Sequence, residues 1–475
     1  MPVKVMQFGE GNFLRAFVDW MINKINNDGL FNGKVAVIQP LDRGLSDMIN
    51  AQDGLYTLYL RGIENGVVKV SKEIITCIKE CINPYSDWAK TLEYATSSDL
   101  RFVISNTTEA GIEYKDEEYT PGICQNTFPA KLCAVLFERF KAFCGDKAKG
   151  LIIIPCELID RNGDNLKNCV LKYAKSWGLG AEFEAWIENA CPFMNTLVDR
   201  IVPGYPRDEI EALTAEQKYK DNIVDTGEIF HFWVIEGDKK YSEEIPFHKA
   251  GLNVLWTDNM EPYRTRKVRI LNGAHTMTVL AAHLAGLETV GDCMNDEDIS
   301  NFMKKGIFEE IIPTFDLPEE EKLMFAEAVL ERFANPFIKH LLLSISLNSV
   351  SKFKVRVLPS VKEYIARLGK LPTRTTFALS ALIRFYKGTE IENSKLLGNI
   401  DGNKYDICDK PDVIEFFAEI NSKYANDNKA LVHAVLSNCD FWDEDLSAIE
   451  GFEDKVLEYY DMIENNGVRV SVKKL

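Results

Sequence analysis

Val3 to Phe8 is a short apolar run, and Gly9-Glu10-Gly11-Asn12-Phe13-Leu14-Arg15 follows it at once. Apolar residues then recur at Phe13, Phe17, Trp20, Met21 and Ile25, a helical spacing that stops at Asn27-Asp28-Gly29. Val35 to Ile38 has the texture of a second buried strand. Strand, glycine turn, helix and strand in this order predict a βαβ unit with its glycines on the first turn. Parallel strands need such a crossover, so the opening residues commit the chain to an α/β sheet.

Glycines let a backbone approach a pyrophosphate, and the following helix N-terminus attracts its charge. The turn therefore predicts a dinucleotide site at Gly9, Gly11, Asn12, Phe13, Leu14 and Arg15. It departs from the usual pattern twice. Leu14 stands where a third glycine is customary, and the second strand ends Ile38-Gln39-Pro40 without an acid for the ribose 2′-hydroxyl. Asp42 comes three residues late, and Arg43 beside it could accept a 2′-phosphate, so the residues leave NAD and NADP open.

Thr57 to Leu60 and Val67 to Val70 flank Gly62 and Asn65-Gly66, which predicts a hairpin inserted into the sheet. Phe102 to Ile104 opens into Ser105-Asn106-Thr107-Thr108-Glu109-Ala110-Gly111. Leu151 to Ile154 runs into Pro155-Cys156-Glu157-Leu158-Ile159-Asp160-Arg161-Asn162-Gly163. In a doubly wound sheet both loops leave the carboxyl ends of strands, where ligands bind, so Asn106, Thr107 and Thr108 join the expected cofactor residues. Past Leu252 the texture changes to helical periods at 267–287, 297–311, 319–334, 336–347, 359–367, 374–387, 411–423, 428–437 and 452–463. A boundary near 255 is expected, with a Rossmann-like, mostly parallel doubly wound domain over 1–255 and a mainly α-helical substrate domain over 256–475.

A chain of 475 residues suits more than one core. A net charge of −17 with no basic aromatic-studded stripe argues against nucleic-acid binding. Eleven cysteines without a CxxC pair read as reduced thiols of a cytoplasmic protein, Cys77 and Cys81 among them as filler. No apolar run reaches a membrane span, and Met1-Pro2 leads straight into a strand, leaving no room for a signal peptide. His275 and His283 lack a third partner at zinc spacing, so no metal is expected. Monomer and small homo-oligomer both stay open.

The helical half opens on Lys267-Val268-Arg269-Ile270-Leu271-Asn272-Gly273-Ala274-His275-Thr276. At about 3.6 residues per turn, Lys267, Asn272 and His275 are expected on one side of a helix. One can take a proton, one can donate to an oxyanion and one can hold a hydroxyl. Arg264, Arg266 and Arg269 surround the lysine, and neighbouring cations lower its pKa towards that of a general base. Arginines at a helix N-terminus oppose the macrodipole, which an anionic ligand would explain. An ordinary amphipathic helix with a basic end is the other reading.

Together these segments resemble the mannitol dehydrogenase family of long-chain polyol dehydrogenases. The likeness rests on the glycine turn with Phe13 and Arg15, on Lys267-x4-Asn272-x2-His275, and on Lys352-x3-Arg356. The resemblance implies NAD as cofactor, Lys267 as general acid/base, Asn272 as oxyanion donor, His275 and Arg356 on substrate oxygens, and a metal-independent mechanism. Gln7 to Trp20, Ser105 to Gly111 and Pro155 to Gly163 are similar to the family's sugar-acid branch, which implies reduction of D-tagaturonate to D-altronate in hexuronate catabolism. Reduction of fructuronate, mannitol-type polyol oxidation and a non-catalytic NAD sensor are the alternatives. Mannitol dehydrogenases carry Cys-Asp-Asn-Leu where this chain has Cys156-Glu157-Leu158-Ile159. Leu158 thus replaces an oxyanion asparagine, and Glu157 or Asn162 is expected to orient the substrate instead. Its carboxylate is expected on Arg264 first and Lys354 second, with the loop around Arg161 in reserve.

Overall fold

The computed structural model describes residues 1–108, 110–400 and 402–475; Glu109 of the Ser105–Gly111 loop lies outside the described residues. The chain forms two compact units, one of residues 1–62 and 67–260, the other of 63–66 and 261–475.

The first unit is built on five parallel strands, ordered Ile78–Ile82, Lys34–Ile38, Val3–Phe8, Phe102–Ser105 and Ile152–Pro155. Chain order reverses direction at Val3–Phe8, so the crevice of a doubly wound sheet lies beyond Phe8. Phe8 is level with both Ile38 and Ser105, which brings the Gly9, Gln39 and Asn106 loops to one edge. Strand residues alternate between two cores because successive side chains point to opposite faces. Val5, Val37 and Ile104 pack with Phe17 and Met21, whereas Met6, Ile38 and Val103 pack with Phe128 and Leu132.

The hairpin is not inserted into this sheet. Tyr56–Glu64 and Val67–Ile75 form a separate three-stranded sheet with Asp225–Glu228. Tyr56–Glu64 runs parallel to Asp225–Glu228, a partner more than 150 residues away that local patterning cannot reveal. The edge of the main sheet is instead Ile78–Ile82, where Cys77 and Cys81 are buried thiols. Cys77 Sγ donates to the Asp19 carbonyl.

Behind the glycine turn the helix loosens into a π-helical stretch, Arg15–Asp19. It buries a polar cluster. Gln7 Nε2 donates to the Gly9 carbonyl at 3.0 Å and to Asp19 Oδ2 at 3.2 Å, while Arg15 lies 3.8 Å from Asp225. Burial pushes both carboxyls up to about 7, in Asp225 despite the arginine. Each binds its proton more tightly folded than unfolded. Their contribution to stability is therefore greatest below the ordinary carboxylate range and is lost as pH rises to about 7. Asp19→Asn, which keeps an acceptor for Gln7, is expected to be more stable than the parent at pH 8, by on the order of a few kcal/mol. The gain should vanish near pH 4 in thermal melts taken across that range.

The second unit is mainly helical. Thr373–Phe385 packs against both Gly273–Leu284 and Phe452–Val472. The apolar period at 336–347 yields only a short helix, Leu342–Ile345. The flanking backbone pairs elsewhere: Val290 N donates to the His340 carbonyl and Leu342 N to that of Glu288. Ile391–Glu392, Lys395–Ile400 and Asn403–Ile407 form a small antiparallel sheet that the helical patterning did not foretell. No helix among the described residues is long and apolar enough to cross a membrane.

Candidate active site

The chemistry-bearing residues form two groups, one in each unit. In the first unit Gly9 has φ +127°, and a Cβ there would stand 2.8 Å from the Asn106 carbonyl oxygen and 3.0 Å from Leu14 Cδ1. Only glycine fits such a contact at such a φ. A Cβ on Gly11 would meet nothing within 4 Å, so the backbone is open where the helix begins. Gly11 caps that helix in an extended conformation without a side-chain hydrogen bond. The first N–H groups of the helix are thereby suited to an anion. A cavity of about 420 Å³ adjoins the turn, lined in part by Gly9, Gly11, Asn106, Thr107 and Thr108.

Three residues of the turn serve it from below. Leu14 is buried against Gly9, which is how the fold accommodates the absent third glycine. Phe13 stacks on Phe17 with centroids 5.1 Å apart. Arg15 is buried and committed: Nη1 donates to the Ile223 carbonyl, Nε to that of Glu10 and Nη2 to Asn12 Oδ1. It props the turn's backbone and its asparagine, whereas the sequence placed it on the cofactor.

Glu157 and Asn162 are not available to a substrate. Glu157 is 2% exposed; Oε1 accepts from Thr107 N and Thr107 Oγ1, and Oε2 from Ser105 Oγ. Burial raises its pKa against those hydrogen bonds. Its work is to hold the Ser105–Thr107 loop in place. Asn162 is fully buried, with Nδ2 donating to the Pro155 and Glu157 carbonyls and Oδ1 accepting from Thr196 N. Both were expected on the substrate because Asn and Glu in a strand-end loop look the same whether they face inwards or outwards.

In the second unit the lysine stretch is not a plain α-helix. Glu261–Arg266 is α-helical, Lys267–Asn272 is a π-helix and Gly273–Leu284 is α-helical again. The difference decides the geometry. At α-helical pitch a residue five positions on stands about 140° around the axis, well off the lysine's side. A π turn closes i→i+5 and sets the fifth residue over the first, so Lys267 and Asn272 share a side. The π turn, and not the regular helical spacing expected from the sequence, sets Asn272 relative to Lys267.

Gly273 follows, and a Cβ there would lie 3.2 Å from the Arg356 carbonyl oxygen. Ser349–Arg356 therefore ends against the Asn272–Gly273 junction. His275 is buried, stacked on Phe333 at 4.2 Å and edge-on to His340 at 5.2 Å. Its Nε2 has no hydrogen-bond partner among the described residues. Burial first, then His340, Arg332, Arg356 and Lys352, hold its pKa well below the ordinary imidazole value, so it is neutral. Lys352 Nζ donates to the Ile345 carbonyl at 2.8 Å. Lys267 and Asn272 are half-buried.

The arginines around the lysine have partners inside the protein. Arg264 lies 3.9 Å from Glu261, Arg266 lies 3.7 Å from Glu321 and over the Phe325 ring, and Arg269 donates to Ser360 Oγ at 3.1 Å. The helix also starts earlier than expected, so Arg264 and Arg266 fall in the last turn of Glu261–Arg266 and not at an N-terminus. Lys354 is paired with Asp443 at 2.6 Å, and Arg161 with Asp164 and Glu236 at 2.7 Å. Arg356, half-buried, has no carboxylate partner among the described residues. His340 and Phe333 were not singled out beforehand, since a lone His and Phe in a helical-looking run carry no local signal. No group of three or more His, Cys, Asp or Glu that could hold a metal ion occurs among the described residues.

Residues 3–249 match the mannitol dehydrogenase Rossmann domain and residues 259–464 the mannitol dehydrogenase C-terminal domain. An altronate oxidoreductase from Yersinia enterocolitica is 45% identical over 99% of this chain and 96% of its own length. One from Halalkalibacterium halodurans is 43% identical over 99% of this chain and 93% of its own length. Among solved structures, the Pseudomonas fluorescens mannitol 2-dehydrogenase ternary complex with NAD and D-mannitol is similar with TM-score 0.71 at 21% identity, covering 100% of this chain and 94% of that one. A substrate-free D-sorbitol dehydrogenase is similar with TM-score 0.80 at 20% identity, covering 99% and 95%.

Proposed function

Because the chain belongs to the mannitol dehydrogenase family, we propose that it reduces D-tagaturonate to D-altronate with NADH, reversibly, in cytoplasmic hexuronate catabolism. The observation that carries this reading is end-to-end similarity, at 43–45% identity, to altronate oxidoreductases. Eleven free thiols suit a reducing compartment.

The first unit's turn fits a dinucleotide: Gly11 leaves open space, and the cavity beside it is polar-lined at Asn106, Thr107 and Thr108. Gly9, Gly11 and the N–H groups of the following helical turn would hold the pyrophosphate. Bound NADH supplies the hydride that reduces the ketone carbon. In the second unit Lys267, as ammonium, gives its proton to the substrate oxygen as negative charge gathers there. The Asn272 amide, which makes no hydrogen bond among the described residues, donates to the same oxygen. In the oxidative direction neutral Lys267 takes the hydroxyl proton. Neutral His275 holds a substrate hydroxyl through Nε2, since it gains a partner without gaining charge.

The substrate carboxylate goes to Arg356. Arg264, Lys354 and Arg161 each face an acid already, while Arg356 has charge to spare beside the Asn272–Gly273 junction. Arg356→Gln is expected to raise KM for tagaturonate about ten- to a hundredfold and to touch residual fructose reduction far less. Arg264→Ala should change both little. Equal losses on acid and neutral ketose in Arg356→Gln would move the carboxylate elsewhere.

Tagaturonate, fructuronate and fructose, each assayed with NADH and NADPH, test the function itself. A kcat/KM highest for fructuronate or fructose would replace it with a neighbouring activity. The mechanism needs no metal, so EDTA should leave turnover unchanged; activity lost to EDTA and restored by zinc would overturn that part.

A further inference from the structure

In a nucleotide-binding βαβ unit an acid at the end of the second strand takes the ribose 2′-hydroxyl. This chain has Gln39 there, and the glutamine is used up. It is buried, Nε2 donates to the Leu41 and Asp42 carbonyls at 2.7 and 3.0 Å, and Oε1 accepts from Ser46 N at 3.2 Å. Its work is to shape the loop over 39–46. Asp42 and Arg43 stand exposed on that loop.

A carboxylate reaches the same loop from another segment. Glu10, the middle residue of the glycine turn, extends to it: a Cβ on Gly44 would collide with both Glu10 Oε1 and the Gln39 amide. The nearby Leu45 N–H favours the charged form of the Glu10 carboxylate. Glu10 is half-buried and lines the cavity together with Gly9, Gly11, Pro40 and Leu41. The first turn thus places a carboxylate beside the loop that follows the second strand. Burial raises the Glu10 pKa above the ordinary carboxylate value, against the backbone N–H groups of Glu10 and Leu45 and the charge of Arg15, which is itself committed to Ile223, Asn12 and Asp225.

We propose that Glu10 is the ribose-recognising acid of this protein, accepting a hydrogen bond from the 2′-hydroxyl of NADH and repelling the 2′-phosphate of NADPH. One carboxylate oxygen suffices for the Leu45 N–H, and the other is left for the hydroxyl. A carboxylate in a half-buried site discriminates strongly, because a dianionic phosphate placed against it meets like charge at short range. This inference rests on the cofactor reading above.

The test is binding without turnover. NADH, NADPH and 2′-deoxy-NADH are titrated by fluorescence against the parent, Glu10→Gln and Glu10→Ala. The parent should bind NADH about ten- to a hundredfold more tightly than either analogue. Glu10→Gln retains an acceptor for Leu45 N–H, so its melting temperature should hold. It should lose most of the preference for NADH over NADPH and bind NADH and 2′-deoxy-NADH nearly alike. Equal weakening of all three cofactors in Glu10→Gln would make Glu10 a loop support and overturn the proposal. Parent protein that binds 2′-deoxy-NADH as tightly as NADH would overturn it even if no variant folds. Parent that binds none of the three would take the cofactor reading down as well, which the other outcomes leave standing.

Discussion

Replacing Lys267 by alanine is expected to lower kcat for tagaturonate reduction by about three to five powers of ten, with NADH affinity unchanged. Two effects are lost together. The nascent alkoxide has no proton donor, and the positive charge that stabilises it is gone. The remaining Asn272 amide contributes a neutral hydrogen bond, which supplies only part of that stabilisation. Lys267 begins the π-helical stretch, so the substitution leaves the backbone and Asn272 in place. The glycine turn proposed for NADH is in the other unit, and NADH should titrate as in the parent. Steady-state rates with a fluorescence titration of NADH on the same preparation decide it. Near-normal kcat in a folded Lys267→Ala protein would remove the lysine from the mechanism.

Gly9→Val should be nearly as damaging, by a different route. The position needs φ +127°, and its Cβ would lie 2.8 Å from the Asn106 carbonyl oxygen. That carbonyl cannot retreat easily, because Asn106 N donates to the Phe8 carbonyl and Gly9 N to that of Ile38, each at 3.0 Å. Leu14 blocks the other direction. Strain at such a φ costs about 1–3 kcal/mol, before the loop moves at all. The turn is expected to reshape, and NADH affinity to fall by roughly a hundredfold or more, equivalent to about 2.7 kcal/mol. Gly11→Ala is the informative contrast. Its Cβ meets no protein atom, so the melting temperature should barely change. NADH binding should still weaken, because the space it enters is the space proposed for the pyrophosphate. A Gly11→Ala protein that binds NADH normally would move the cofactor off this turn.

The opening βαβ unit was legible because its signals are local. A strand run, two glycines and a helical period sit within neighbouring residues, and each acts through the backbone it belongs to. The same holds for the helical texture after residue 260 and for the order of Lys267, Asn272 and His275. Failures began where a residue's partner is distant. The hairpin joined Asp225–Glu228 because a parallel partner is chosen by tertiary contact. The helix expected over 336–347 gave way because its backbone donors and acceptors found Glu288 and Val290.

The site divides along the same line. The kinds of chemistry, a proton carrier, an amide donor, an imidazole and a glycine turn, were determined by residue identity alone. Which groups are free to use was decided by folding. Arg15, Glu157 and Asn162 are polar side chains whose hydrogen bonds are satisfied inside the protein, and a buried polar group keeps such partners because losing them is costly. Arg264 and Lys354 face acids, while Arg356 faces none among the described residues. The π turn matters most. A π turn widens the turn by about one residue, and short apolar runs on either side do not fix that change of phase, which sets Asn272 relative to Lys267. Sequence named the groups; only the packed backbone set the phase of Asn272 against Lys267 and left His275 Nε2 without a hydrogen-bond partner among the described residues.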